Sequence, residues 1–282
     1  MRHEVLWLCH EGDEASVPGE GPHRALPVPP GAGLYARLRQ AFLAARGSYF
    51  AILEAGDLPD KRFVARHLHV HRYGNLPMLT VSDMRLLDSA GTVIHAGIMH
   101  TAAQWGAVTH QVPALSAHLR DWELAPLAAV VLRRSPFLDA FFEAEALPVH
   151  DRHVGWLLCQ YLLQLGGASR LAENLLDLRL PAQATPNAAW LSQFIDRHGP
   201  IQPVPDLALC VEEMLAAYVR AWDEHRLFFG EAWERRFVQW LAARGGPSAP
   251  ERLVRRAHAI RGEGLAEYVA ALLKPMQPLR GG

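Results

Sequence analysis

The chain has 282 residues, half of them hydrophobic and a fifth charged, with a formal charge of −1. That length suits one large domain or two small ones, and the balanced charge argues against nucleic acid or anionic lipid as a partner. Cys9, Cys159 and Cys210 form no CxxC pair, so neither a disulfide framework nor a structural zinc is expected, and a reducing, cytoplasmic setting is. The opening MRHEVLWLCHEGDE has too short an apolar core for a signal peptide. The longest apolar stretches, LAPLAAVVL and VGWLLCQYLLQLGG, fall short of the roughly 18 residues a membrane span needs.

Residues 4–9, EVLWLC, read as a short buried strand that ends in the polar turn HEGDE. Residues 17–31 are too rich in proline and glycine for a regular helix or a central strand. Leu34, Leu38, Phe42 and Ala45 recur at helical spacing, which predicts a helix over 32–46 with Gly47 as its stop. A strand follows at 49–53 and runs straight into the acids Glu54 and Asp57. Asp57 stands where a helix N-cap would, with Pro59 in the first turn of a helix over about 59–72. MLTVSDMRLLD and TVIHAG predict two strands joined by a hairpin turn at SAG. LAAVVLRR (127–134) predicts another strand, 150–167 an amphipathic helix, and ASRLAENLLDLRL closes the segment. From about residue 186 the patterns are helical only. Alternating strands and helices argue for an α/β layer architecture.

The order of these segments resembles the family 2 glycosyltransferases, which have the GT-A fold. The resemblance lies in GLYARLRQAFLAARGSYFAILEAGDLPDKRFVARHLHV followed by VSDMRLLDSAGTVI, then VVLRRSPFLDAFFEAEALPVHDRHVGWLLCQYLLQLG, and ENLLDLRLP as a closing strand. It covers roughly residues 4–181. It implies an α/β fold with a GT-A-like mixed, mostly parallel sheet flanked by helices in residues 1–182, and a helical C-terminal region in 183–282. The family's opening βα unit has no counterpart in this resemblance, since residue 5 already resembles the second strand. Its D-A-D-D motif stands here as Glu54-Ala55-Gly56-Asp57. A homodimer or a partner protein that completes the domain would answer the missing unit.

The activity so implied is inverting transfer of a sugar from a nucleotide diphosphate-sugar to a glycan, lipid or protein acceptor. Such chemistry needs a cation on the leaving diphosphate, and carboxylates suit Mg²⁺ or Mn²⁺. Asp57, with Glu54, is the candidate metal ligand; the plainer reading of Asp57 is a helix cap partnered by Asp60. Asp151 matches the family's general base, with His150 second because an imidazole suits neutral pH; the plainer reading of Asp151 is again an N-cap. Asp83 matches a recurrent acid beside the donor pocket, against a simple strand-end role. Arg133 or Arg134 would face the diphosphate, since guanidinium grips phosphate oxygens. Asp13 lies where a base- or ribose-contacting acid would.

Two further clusters read as structural. His67 and His71 share a helix face at a spacing zinc could use, but no HExxH accompanies them, and a solvated histidine face is expected. Trp190, Trp222, Trp233 and Trp240 fall in helical apolar patterns, which favours packing over stacking on sugar rings. The GxGxxG, P-loop and GxSxG signatures are absent. The rival to an enzyme is a non-catalytic scaffold or partner subunit of glycosyltransferase lineage, and a weaker third is a nucleotidyltransferase on a related fold.

Overall fold

A computed structural model describes residues 3–10, 18, 21–53, 56–73, 77–96, 127–148, 151–166, 168–179, 207–223, 226 and 230–274. The chain separates into two units, Met1–Arg134 with Asp151–Pro203, and Ser135–His150 with Val204–Gly282. The expected boundary near residue 182 falls outside the described residues. Among those residues no helix is long and apolar enough to cross a membrane.

In the first unit, β1 (Val5–His10) pairs in parallel with β2 (His23–Val28) as a two-stranded sheet. The proline-rich segment therefore contributes a strand. It does so at an edge, where the missing N–H of Pro27 breaks no ladder. Helix α1 (Leu34–Ala44) buries Tyr35, Leu38 and Phe42, the stripe its spacing predicts. It leads into β3 (Tyr49–Ala51). Next come β4 (Leu58–Pro59), α2 (Phe63–Tyr73), and the hairpin of β5 (Leu79–Leu87) with β6 (Val93–Ala96). A 3-10 turn at Leu127–Ala129 opens β7 (Val130–Arg133). Helix α4 (Asp151–Gly166) then packs back and β8 (Ala168–Arg179) closes the unit.

The main sheet runs β3-β7-β5-β8-β4, with β6 also on β5. In this sheet, among the described residues, only β5 and β8 pair in parallel; β3–β7, β5–β7, β4–β8 and β5–β6 are antiparallel. The sheet is mixed, as expected, but mostly parallel is corrected to mostly antiparallel pairing. The alternation leaves β3, β5 and β8 running one way and β4, β6 and β7 the other. From Ser82 to Met84 β5 advances two residues while β8 advances five, Leu171 to Leu176. Extra residues of this kind bend and twist the strand that carries them, so β8 curls the sheet. Residues 52–57 join β3 to β4, which stand at opposite ends of the strand order.

Alternate residues mark the two faces. Phe63, Val70, Val131, Leu171 and Leu175 form the core under α2, with Tyr49 against it. Each such burial is worth about 1.5–3 kcal/mol. On the other face Phe42 of α1 meets Phe50 of β3, with ring centres 4.8 Å apart.

The second unit comprises α3 (Pro136–Phe142), α5 (Leu207–Arg220), α6 (Glu231–Arg244), α7 (Ala249–Arg261) and α8 (Glu263–Leu273). Ser135 caps α3 by accepting the Leu138 amide. Buried side chains surround most of α5, from Cys210 to Val219. Arg252 and Arg256, one helical turn apart on α7, bind Glu212 and Glu213 of α5 at 2.5 and 2.6 Å. Glu234 is almost wholly buried and accepts the hydroxyls of both Tyr218 and Tyr268.

Candidate functional site

Strand direction decides which residues share an end of the sheet. The carboxyl ends of β3, β5 and β8 point together. The helices α1 and α4, each followed by one of these strands, run opposite to them and bring their N-termini to that same end. Gly155, in the second turn of α4, abuts Leu127 at the start of the β7 segment, which fits this arrangement.

Two of the predicted acids, Asp151 and Asp57, lie towards that end, and a third, Asp83, stands midway along β5. Asp151 is the first residue of α4, and its carboxylate rests against Gly33 at the N-cap of α1. A Cβ on Gly33 would come within 2.8 Å of Asp151 Oδ1, so glycine permits this close approach. Asp83 is fully buried in β5, at the point where β8 bulges. Its Oδ1 accepts the Met84 amide at 2.8 Å, and its Oδ2 lies 3.7 Å from Arg170 Nη2. Asp57 is half-buried directly before β4. From the register, Asp57 stands about 10 Å beyond Asp83 along the strands and about 10 Å across. Asp57 and Asp151 therefore lie towards one end with Asp83 midway along β5, and the three are not packed together. Among the described residues, no three His, Cys, Asp or Glu side chains form a group that could hold a metal ion. Glu54, His150 and Asp13 lie outside the described residues.

The cap reading of Asp57 is corrected. Helix α2 begins at Phe63, four residues later than expected, and its turn is closed by Asp60, whose Oδ1 accepts the Arg62 amide and whose carbonyl accepts that of Phe63. Leu58 and Pro59 instead pair with β8, proline again on an edge strand. The Arg62 guanidinium and amide, both bonded to Asp60, hold its carboxyl below the usual range.

Arg133 and Arg134 fall at the opposite end. Because β7 runs antiparallel, its last residues lie beside Met78, whose carbonyl accepts the Arg133 amide. Asp83 is five residues along β5 from there, roughly 16 Å away. Arg134 donates to the Ala45 carbonyl at 2.9 Å and lies over Phe42 and Phe50, 4.7 and 5.7 Å from their centres. That cation neutralises the C-terminal end of α1. Arg133 Nη2 meets Met78 Sδ at 3.4 Å on the α2 face. The buried cation beside Asp83 is Arg170, missed in the sequence. Its signal was an arginine beside Leu171 inside an otherwise buried strand start. Burial lowers its pKa and the Asp83 charge partly restores it.

The solvated histidine face is also overturned. His69 is exposed, but His67 and His71 are fully buried against Thr80. His71 Nε2 lies 3.1 Å from the Val131 carbonyl, so that nitrogen carries the hydrogen. The Thr80 hydroxyl lies 3.1 Å from the same nitrogen, 2.7 Å from His67 Nδ1 and 3.5 Å from the Val131 carbonyl. Desolvation pushes His67 down to about 3, with the neighbouring His71 adding to it, and lowers His71 as well. Both rings are neutral parts of the core.

Of the tryptophans, Trp190 lies outside the described residues. Trp233, Phe237 and Trp240 stack along α6, with ring centres 5.2 and 6.5 Å apart. Trp222 packs on Tyr268. Cys159 and Cys210 are buried, and burial pushes the Cys159 thiol up to about 12.

Fold and site together define a mixed α/β unit with a curled sheet, a buried aspartate midway along its central strand and two further acids towards one end. No protein-family model matches the chain, and no curated protein matches it.

Proposed function

We propose that the first unit is a family 2-like glycosyltransferase domain that moves a sugar from a nucleotide diphosphate-sugar to an acceptor hydroxyl, with inversion. The observation that carries this reading is that Asp57 follows β3 on the side of the sheet where Asp151 meets the N-cap of α1, with Asp83 midway along β5 between the strands. Open sheets bind ligands at the carboxyl ends of their strands. In this reading Asp83 faces the donor and Asp13 its base or ribose. Asp57 and Glu54 are the protein's share of a Mg²⁺ or Mn²⁺ shell, which needs only one or two carboxylates when substrate phosphates supply the rest. That cation would neutralise charge growing on the leaving diphosphate.

Asp151, with His150 beside it in sequence, takes the proton of the acceptor hydroxyl. The acceptor oxygen forms its bond to the anomeric carbon as the bond to the diphosphate breaks, and the electron pair leaves with the diphosphate. Attack from the face opposite the leaving group inverts the centre. Arg133 and Arg134 have no part in it. Their internal placement is also what favours the second reading, a non-catalytic scaffold or partner subunit, because a diphosphate site lacking them has less positive charge of its own.

Calorimetric titration of UDP, GDP, CDP and dTDP, each with and without Mn²⁺, tests the proposal on wild type and Asp57→Asn. Manganese-dependent binding of one nucleotide, lost in the variant, supports the catalytic reading. A folded chain that binds none of them leaves the scaffold.

A further inference from the structure

The end of the main sheet away from Asp57 and Asp151 is basic. The segments that meet there, residues 45–51, 69–73, 77–80, 130–135, 165–166 and 168–169, carry Arg46, Arg72, Arg133 and Arg134 and no aspartate or glutamate. On the α1 face, Arg134 donates to the Ala45 carbonyl, and Glu4 meets Arg24 and the Arg46 amide. On the α2 face, Arg133 is half-buried and has no carboxylate partner among the described residues. Of its five N–H groups, Nη2 meets the Met78 thioether, a weak acceptor, and Nε is buried with no acceptor at all. Its Nη1 is neither buried nor bonded to a described residue, so a ligand can reach the guanidinium from that side. His71 supplies no counter-charge, because desolvation lowers it and the Arg133 charge adds to that. Tyr49 is the cross-strand partner of Arg133, so the two side chains stand next to each other on one face. Its ring packs on His71, with centres 4.9 Å apart, and its hydroxyl bonds to no described residue. Charges withdrawn from water are ordinarily paired, and a guanidinium left without acceptors points to an ion that takes its hydrogens.

We propose that Arg133, with the Tyr49 hydroxyl beside it, is a binding site for a phosphate-class oxyanion at the end of the sheet opposite the acids. A guanidinium offers Nη1 and Nη2 side by side, a fork that matches two oxygens of one phosphate. The phenol gives a third hydrogen bond, and Arg72 and Arg134 add to the positive potential at this end. The ligand is inorganic phosphate or the phosphate group of a small organic molecule, which share this chemistry. The site is independent of the nucleotide reading, since it needs no metal and lies roughly 16 Å along the strands from Asp83.

Calorimetric titration with inorganic phosphate and with phenyl phosphate, at low ionic strength and without divalent metal, tests the site. The proteins are wild type, Arg133→Met, Arg133→Lys, Tyr49→Phe and Asp57→Asn, with melting temperatures recorded for each. Arg133→Met is expected to weaken binding by about tenfold or more, and Tyr49→Phe by about threefold. Arg133→Lys, which keeps the charge without the fork, should fall between wild type and Arg133→Met. Asp57→Asn should bind as wild type does, which separates this site from the acidic end. Tighter binding of phenyl phosphate than of inorganic phosphate supports the proposal with an organic phosphate as ligand, and the reverse order supports it with the free ion. Equal affinity of wild type and Arg133→Met overturns it, as does a folded wild type that binds neither probe. If Arg133→Met does not fold, Tyr49→Phe decides: a threefold loss at an unchanged melting temperature supports the site, and full affinity sinks it.

Discussion

Acid should loosen the first unit through His67. In the folded chain this ring is buried and neutral with a pKa pushed down to about 3, whereas in the unfolded chain it returns to about 6.5. Below pH 6.5 the unfolded state binds a proton that the folded state refuses. The stabilisation is therefore complete above pH 6.5 and is lost as pH falls towards 3. Moving from pH 7.5 to 5.0 costs about 2 kcal/mol from this ring alone, at 1.36 kcal/mol per unit. His71, also lowered by burial, acts in the same direction. Carboxylates contribute their own acid dependence, so the informative quantity is a difference between two proteins. Urea unfolding of wild type and His67→Gln at both pH values supplies it, with α2 followed by hydrogen exchange. Glutamine can still hydrogen-bond the Thr80 hydroxyl but does not titrate. Its loss on acidification should be smaller than that of wild type by about 2 kcal/mol. Equal losses in the two proteins would refute the burial argument.

Other expectations follow from single contacts. Arg134→Met should lower stability by about 1–2 kcal/mol, since it removes a cation from the end of α1 and from two aromatic faces; calorimetric melting measures it, and lost nucleotide binding at undiminished stability would return Arg134 to the donor site. Gly33→Ala places a methyl 2.8 Å from Asp151 Oδ1 and must displace that carboxylate. Transfer should fall at least tenfold while the melting temperature changes little, because a cap glycine and alanine differ by about 1 kcal/mol or less. Glu234→Gln turns one of two phenol acceptors into a donor within a buried cluster. A loss of about 1–3 kcal/mol is expected in denaturant unfolding, with part of it recovered by Tyr218→Phe in the same chain.

Much of the element order was legible because it rests on local pattern. The α1 stripe, the SAG hairpin, the long β5 and the closing strand all stand close to where periodicity puts them. What escaped was non-local. Apolar runs in β3 and β7 announce strands but carry no sign of direction, and a parallel β7 would have delivered Arg133 and Arg134 to the acidic end. The antiparallel pairing carries them to the other. His67 and His71 looked polar, yet a desolvated imidazole needs only a hydroxyl and a carbonyl. Thr80 and Val131 supply these from strands 9–60 residues away. Pro59 matched a helix start, and the same fixed backbone angle suits an edge strand, so the residue alone could not choose. Arg170 stood out only once β8 was known to be buried at its beginning.

The short join between β3 and β4 acts as a tether with little slack. On a flat sheet its ends, Ala51 and Leu58, would lie four strands apart and about five residues out of step, a diagonal of roughly 25 Å. The contour length from one to the other is at most about 25 Å. The curl of β8 is what shortens the path enough to close it. Asp57, on the last link of that tether, is thus located by chain length as much as by its contacts, and any change in the curvature of the sheet is transmitted to it. Deleting one residue from 52–57 should strip β4 from its partner, whereas inserting one would leave β4 in place and set Asp57 adrift.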